Sequence, residues 1–108
     1  SRHFYVDLLG FQILRENYRP RKKDWKLDLA LGAVELELFS APAAPGRPTR
    51  PEALGLRHLA FWVDSVEAEV AALEAKGIAC EPIRIDEFSN KPFTFFFDPD
   101  GLPLELHE

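Results

Sequence analysis

The chain repeats one order of elements, and that duplication constrains its fold more than any other feature. In the first half, residues 1–9 place Phe4, Tyr5, Leu8 and Leu9 at helical spacing and stop at Gly10. Two strand-like segments follow, FQILR at 11–15 and WKLDLAL at 25–31, then Gly32 turns the chain into VELELF at 34–39, which carries Glu37. In the second half, a helical stretch carrying Val66, Val70 and Leu73 on one face stops at Gly77. Strand-like segments at 78–85 and 92–97, a turn at Asp98-Pro99-Asp100-Gly101 and a last strand at 102–107 complete it, with Glu105 in that last strand. Gly10 to Glu37 is 27 positions and Gly77 to Glu105 is 28, so the halves register at an offset of 67 to 68.

The second half opens with one element more. Residues 56–63 read as a buried strand bearing His58, 19 positions before Gly77, and Asp64 with Glu67 three positions on predicts the helix N-cap at Asp64. Counting the same distance back from Gly10 passes upstream of Ser1, so the repeat predicts that the first module's opening strand is missing from this chain. Between the halves, prolines at 42, 45, 48 and 51 favour an extended, semi-rigid connection. The expected division is a first module at 1–40, a Pro-rich linker at 41–54 and a second module at 55–108.

Composition closes off several classes. With 108 residues, of which 46% are hydrophobic, the chain can hide roughly two thirds of the surface of its unfolded form and needs no disulfide. Its single cysteine, Cys80, offers neither a bridge nor a cysteine-rich zinc site and reads as a small buried hydrophobe. A net charge of −5 argues against nucleic-acid binding. No apolar run approaches the ~18 residues of a membrane span and no signal peptide opens the sequence, so a cytoplasmic protein with no membrane partner is expected.

The chemistry-bearing residues are few. Alternation along 56–63 puts His58 on a face with Leu56, Ala60 and Trp62, in the middle of an apolar strand. Glu37 and Glu105 sit likewise within apolar strands. A strand glutamate ordinarily faces water and a lone strand histidine is ordinarily structural. At equivalent places of a repeat, however, Glu37, His58 and Glu105 could converge on a divalent metal through nitrogen and oxygen donors. Glu35 and His107, two residues from the glutamates on the same faces, are alternative ligands or water-facing residues, and His3 reads as a surface residue. Arg19, Arg21, Lys22, Lys23 and Lys26 around Trp25 form a positive loop, either a solvated hairpin tip or a guide for an anionic small substrate. Phe93, Phe95, Phe96 and Phe97 read as core plus one pocket wall. No Gly-rich phosphate loop, Ser-His-Asp or Cys-His arrangement is present.

HFYVDLLGF at the start, GLRHLAFWVD in the middle and above all FFFDPDGLPLELHE at the end resemble the vicinal oxygen chelate superfamily of glyoxalase I, fosfomycin- and bleomycin-resistance proteins and extradiol dioxygenases. The nearest resemblance is to short bacterial lactoylglutathione lyase-like proteins. It implies an α+β fold of two βαβββ modules wrapped around one metal, with Glu37, His58 and Glu105 as ligands and a fourth ligand upstream of Ser1. It also implies a divalent ion (Ni, Co, Zn, Mn or Fe), a homodimer, and a lyase or isomerase in which the metal stabilises an enediolate of a small oxygenated substrate while Glu105 moves the proton. The alternative readings are a metal-free small-molecule sequestering protein of the same fold and, as a weaker third, an extradiol-type dioxygenase.

Overall fold

The computed structural model describes residues 1–108, which form two compact units, Ser1–Gly46 and Arg47–Glu108. In the first, a wide-turn helix, here α1 (His3–Leu8), precedes an antiparallel sheet in the order β1 (Gln12–Arg19), β2 (Asp24–Leu31), β3 (Val34–Phe39). The helix closes on Gly10, whose φ of +82° suits a residue without a Cβ. Its amide donates to the Val6 carbonyl. Tyr5, 1% exposed, meets the rings of Phe4 and Phe11 edge-on at 5.3 and 5.5 Å, and Leu27 and Leu29 are buried with them.

β1 is longer than the five residues predicted. The polar run that follows FQILR stays extended, because each residue from Arg15 to Arg19 finds a partner on β2, down to Arg19 opposite Asp24. A bulge between Ile13 and Arg15 keeps Arg15 opposite Asp28. Period-2 alternation then segregates the sheet. Leu27, Leu29, Leu36 and Leu38 share the apolar side, while Arg15, Lys26, Asp28, Glu35 and Glu37 share the other.

On that polar side Asp28, 2% exposed, takes a hydrogen bond from Arg15 Nε at 2.7 Å, and Lys26 Nζ lies 3.0 Å from its second oxygen. Arg15 also donates to Glu35 and Lys26 to Glu37. These partners, Arg15 first and Lys26 next, hold the Asp28 carboxyl below the usual carboxylate range. A depressed native pKa adds stability above the unfolded value of about 4 and loses it as pH falls through the native value. Asp28→Asn is therefore expected to melt several degrees below the parent at pH 7, with the gap closing below about pH 4. Thermal melts across that range check it, and a pH-independent gap would assign the loss to packing.

The second unit runs β4 (Leu59–Trp62), α2 (Val66–Ala75), β5 (Arg84–Ile85), β6 (Pro92–Phe97) and β7 (Pro103–His107), with sheet order β4-β7-β6-β5. β7 pairs in parallel with β4 and antiparallel with β6. Leu104 and Leu106 of β7 and Thr94 and Phe96 of β6 are buried, as are Val66 and Leu73 of α2. Each apolar side chain of this size adds about 1.5–3 kcal/mol by leaving water.

Three expectations are corrected here. β4 begins at Leu59 and not at residue 56, because Arg47 Nη2 donates to the carbonyls of Leu56 and Arg57 at 2.9 and 2.7 Å and holds that backbone away from a ladder. The N-cap of α2 is Ser65, whose hydroxyl accepts from the Ala68 amide, and not Asp64; the carboxylate of Glu108 takes the Val66 amide beside it at 2.9 Å. The segment 78–85 is strand only at Arg84–Ile85, since Pro82 has no N–H for a ladder. Two bonds still tie it to β6, Glu81 N to Phe95 O and Thr94 Oγ1 to Glu81 O. The turn after β6 is as expected: Gly101 N donates to Asp98 O, and Asp98 Oδ1 accepts from the amides of Asp100 and Leu102. No helix of the chain is long and apolar enough to cross a membrane.

Candidate functional site

β7 alternates in burial, and the alternation decides which of its side chains can do chemistry. Leu104 and Leu106 point into the core, so Glu105 and His107 share the opposite face of the sheet. Opposite Glu105 stand Ala60 on β4 and Phe95 on β6; opposite His107 stand Trp62 and Phe93. His58 lies one residue before β4, not in the middle of a strand as its sequence suggested. Even so, the register delivers it to Glu105. His58 Nε2 lies 2.8 Å from Glu105 Oε2, both side chains being about a quarter exposed, and the imidazole meets the Phe95 ring edge-on at 5.2 Å.

Beside this pair opens a cavity of about 360 Å³, a size suited to a small molecule. Glu105 lines it together with Trp62, Phe93 and His107 from the sheet and with Asp86, Ser89 and Lys91 from the turn that leads into β6. Trp62 and His107 meet edge-on at 5.2 Å. Among the four phenylalanines of β6, Phe93 is this wall, Phe95 supports His58, Phe96 is core and Phe97 is exposed. Lys91 is absent from the sequence reading, and Trp62 enters it only as sharing a face with His58. Strand alternation was the available signal, since Trp62 lies four residues beyond His58 and is register-paired with His107.

The other residues singled out from sequence lie as follows. Glu37 is on β3 of the first unit, half exposed and ion-paired with Lys26. Glu35 pairs with Arg15, and His3 with Asp7 at 2.7 Å on the exposed helix surface. Neither unit by itself gathers three His, Cys, Asp or Glu side chains into a metal-holding group. Arg19 is bound by Asp24 and Lys26 by Asp28 and Glu37, so of the positive loop only Arg21, Lys22 and Lys23 remain as exposed, unpaired cations at the hairpin tip. Cys80 is half-buried, and burial, then the charge of Glu74, pushes its thiol pKa up, away from nucleophilic use.

Residues 1–106 match the family model of the Glyoxalase/Bleomycin resistance protein/Dioxygenase superfamily. The chain belongs to that superfamily and has its α+β fold. It is 58% identical over 109 residues to an uncharacterized protein, YaeR, of Escherichia coli (strain K12), covering 100% of this chain and 84% of YaeR. The crystal structure of a glyoxalase family protein from Enterococcus faecalis superposes with a TM-score of 0.96 at 61% identity, over 99% of this chain and 85% of that one. A more distant structure, the trypanothione-dependent glyoxalase I of Leishmania major, superposes with a TM-score of 0.71 at 26% identity, over 100% of this chain and 76% of that one.

Proposed function

We propose that this protein is a metal-dependent lyase or isomerase of the glyoxalase kind, acting on a small substrate with two adjacent oxygens. The observation that carries the reading is the His58–Glu105 pair at the edge of the cavity. Its donor chemistry fits a divalent ion: one imidazole nitrogen and one carboxylate oxygen 2.8 Å apart. His58 and Glu105 would hold a divalent ion of the Ni, Co, Zn, Mn or Fe group. A divalent ion there supplies a Lewis acid that polarises substrate oxygens.

The chain's own residues do the rest. The Glu105 carboxylate faces the cavity and is the group placed to take a proton from a substrate carbon next to a carbonyl. His58 Nε2, braced by the Phe95 ring, lies 2.8 Å from Glu105 Oε2, which brings the two donor groups together at the edge of the cavity. Phe93 and Trp62 give the cavity an apolar wall. The test is metal content by mass spectrometry on protein stripped with chelator, reloaded with mixed divalent ions and freed of excess, followed by turnover of a glutathione hemithioacetal. About one ion per chain with turnover is expected. A chain that retains no metal would be a small-molecule binder of the same fold instead.

A further inference from the structure

The cavity beside Glu105 is lined by three carboxylates and a single ammonium, yet the charges differ in how far they are already committed. Asp86 Oδ2 accepts from the backbone amides of Ser89 at 2.7 Å and Phe88 at 3.2 Å. Glu108 Oε1 accepts from the Val66 amide at 2.9 Å, and Glu105 Oε2 meets His58 at 2.8 Å. Lys91 alone has no counter-ion: it takes part in no ion pair, and its Nζ rests over the Trp62 ring, 5.5 Å from the centroid. An indole face holds an ammonium in place and leaves its N–H donors free, whereas a carboxylate would have consumed them. The turn that carries Lys91 is itself fixed, by Asp86 N donating to Lys91 O at 2.9 Å and Asn90 N to Asp86 O at 2.8 Å.

We propose that the substrate of this cavity is an oxyanion, a carboxylate or phosphate ester of a small molecule, whose anionic group docks on Lys91 while its reacting end lies at Glu105. This deepens the proposed function by naming its substrate class. It rests on that reading for the chemistry at Glu105, but the anion preference itself requires no metal. Lys91 is the specificity-determining residue and Trp62 its support.

The test uses protein stripped of metal and carrying Trp25→Phe, which leaves Trp62 as the sole tryptophan of two. Its fluorescence is titrated at fixed ionic strength with benzoate, with phenyl phosphate and with neutral benzamide. At least one anion is expected to bind about tenfold more tightly than benzamide. Whichever anion leads separates a carboxylate substrate from a phosphate one. Lys91→Gln, at an exposed position and so with an unchanged melting temperature, is expected to bring all three probes within about twofold, and Lys91→Arg to keep the preference. The proposal is overturned by the absence of saturable binding of both anions, by equal binding of benzamide, or by a preference that survives Lys91→Gln. Metal retention measured in parallel separates the two ideas. Metal without anion preference sinks the substrate class alone, and anion preference without metal sinks the lyase reading alone.

Discussion

Glu105→Gln is expected to lower divalent-metal affinity at least about 100-fold while leaving the melting temperature within about 2 °C of the parent. Glutamine has the same shape and can still offer its amide oxygen to His58 Nε2, which lies 2.8 Å from the carboxylate now. The fold therefore loses nothing buried. What disappears is the negative charge, and with it a hard anionic oxygen donor. Changing residues that merely orient metal ligands already costs roughly 10- to 100-fold in affinity, so losing a ligand charge should cost at least the upper end. An amide also cannot take a proton at neutral pH, and turnover of the hemithioacetal should fall by a further factor of about 10² to 10⁴. Calorimetric titration of metal into parent and variant, with a melt of each, reads both effects. A variant that binds metal like the parent removes Glu105 from the proposed centre.

The neighbouring residue should behave in the opposite way. Leu104 is fully buried, opposite Leu59 on β4 and Phe96 on β6, so truncation to alanine leaves a cavity that three strands share. Leu104→Ala is expected to cost about 3–4 kcal/mol. In a unit of this size that lowers the melting temperature by roughly 12–32 °C. Urea unfolding followed by circular dichroism measures it, and a loss below about 1 kcal/mol would show that the sheet repacks around the gap. Two adjacent residues of one strand thus separate the protein's stability from its chemistry, because successive side chains of a strand point to opposite faces.

How far the site was legible depends on the kind of signal. Glu105 stood out in LPLELHE because two leucines flank it in strict alternation, and burial of Leu104 and Leu106 follows that pattern directly. His58 was identified as a residue of interest but placed wrongly. Its apolar neighbours suggested a strand from residue 56, and nothing local in sequence announced that Arg47, eleven positions earlier, would take the carbonyls of Leu56 and Arg57. Proline at 82 breaks the segment 78–85 through its missing donor, a signal that was present in the sequence and outweighed there by the isoleucines around it. Lys91 was not found, and Trp62 was placed on the face of His58 without a role, because their significance is relational. A lysine ahead of an apolar strand is ordinary until β6 pairs with β7 and β7 with β4, which sets Phe93, His107 and Trp62 side by side and puts the turn carrying Lys91 next to them.

What the amino-acid order determined alone was the local and the periodic: the two glycine-closed helices, the alternating strands, the Asp98–Gly101 turn, the duplicated order and the superfamily. These depend on backbone sterics, hydrogen-bond capping and the two-residue and near-four-residue repeats of apolar side chains, all of which act within a few positions. The tertiary structure alone decided the pairing of His58 with Glu105 across a gap of 47 positions, the ion network that buries Asp28, and which charges of the cavity remain uncommitted. Those depend on strand register and on distances between residues far apart in sequence, where a difference of one residue in register moves a side chain to the other face of the sheet.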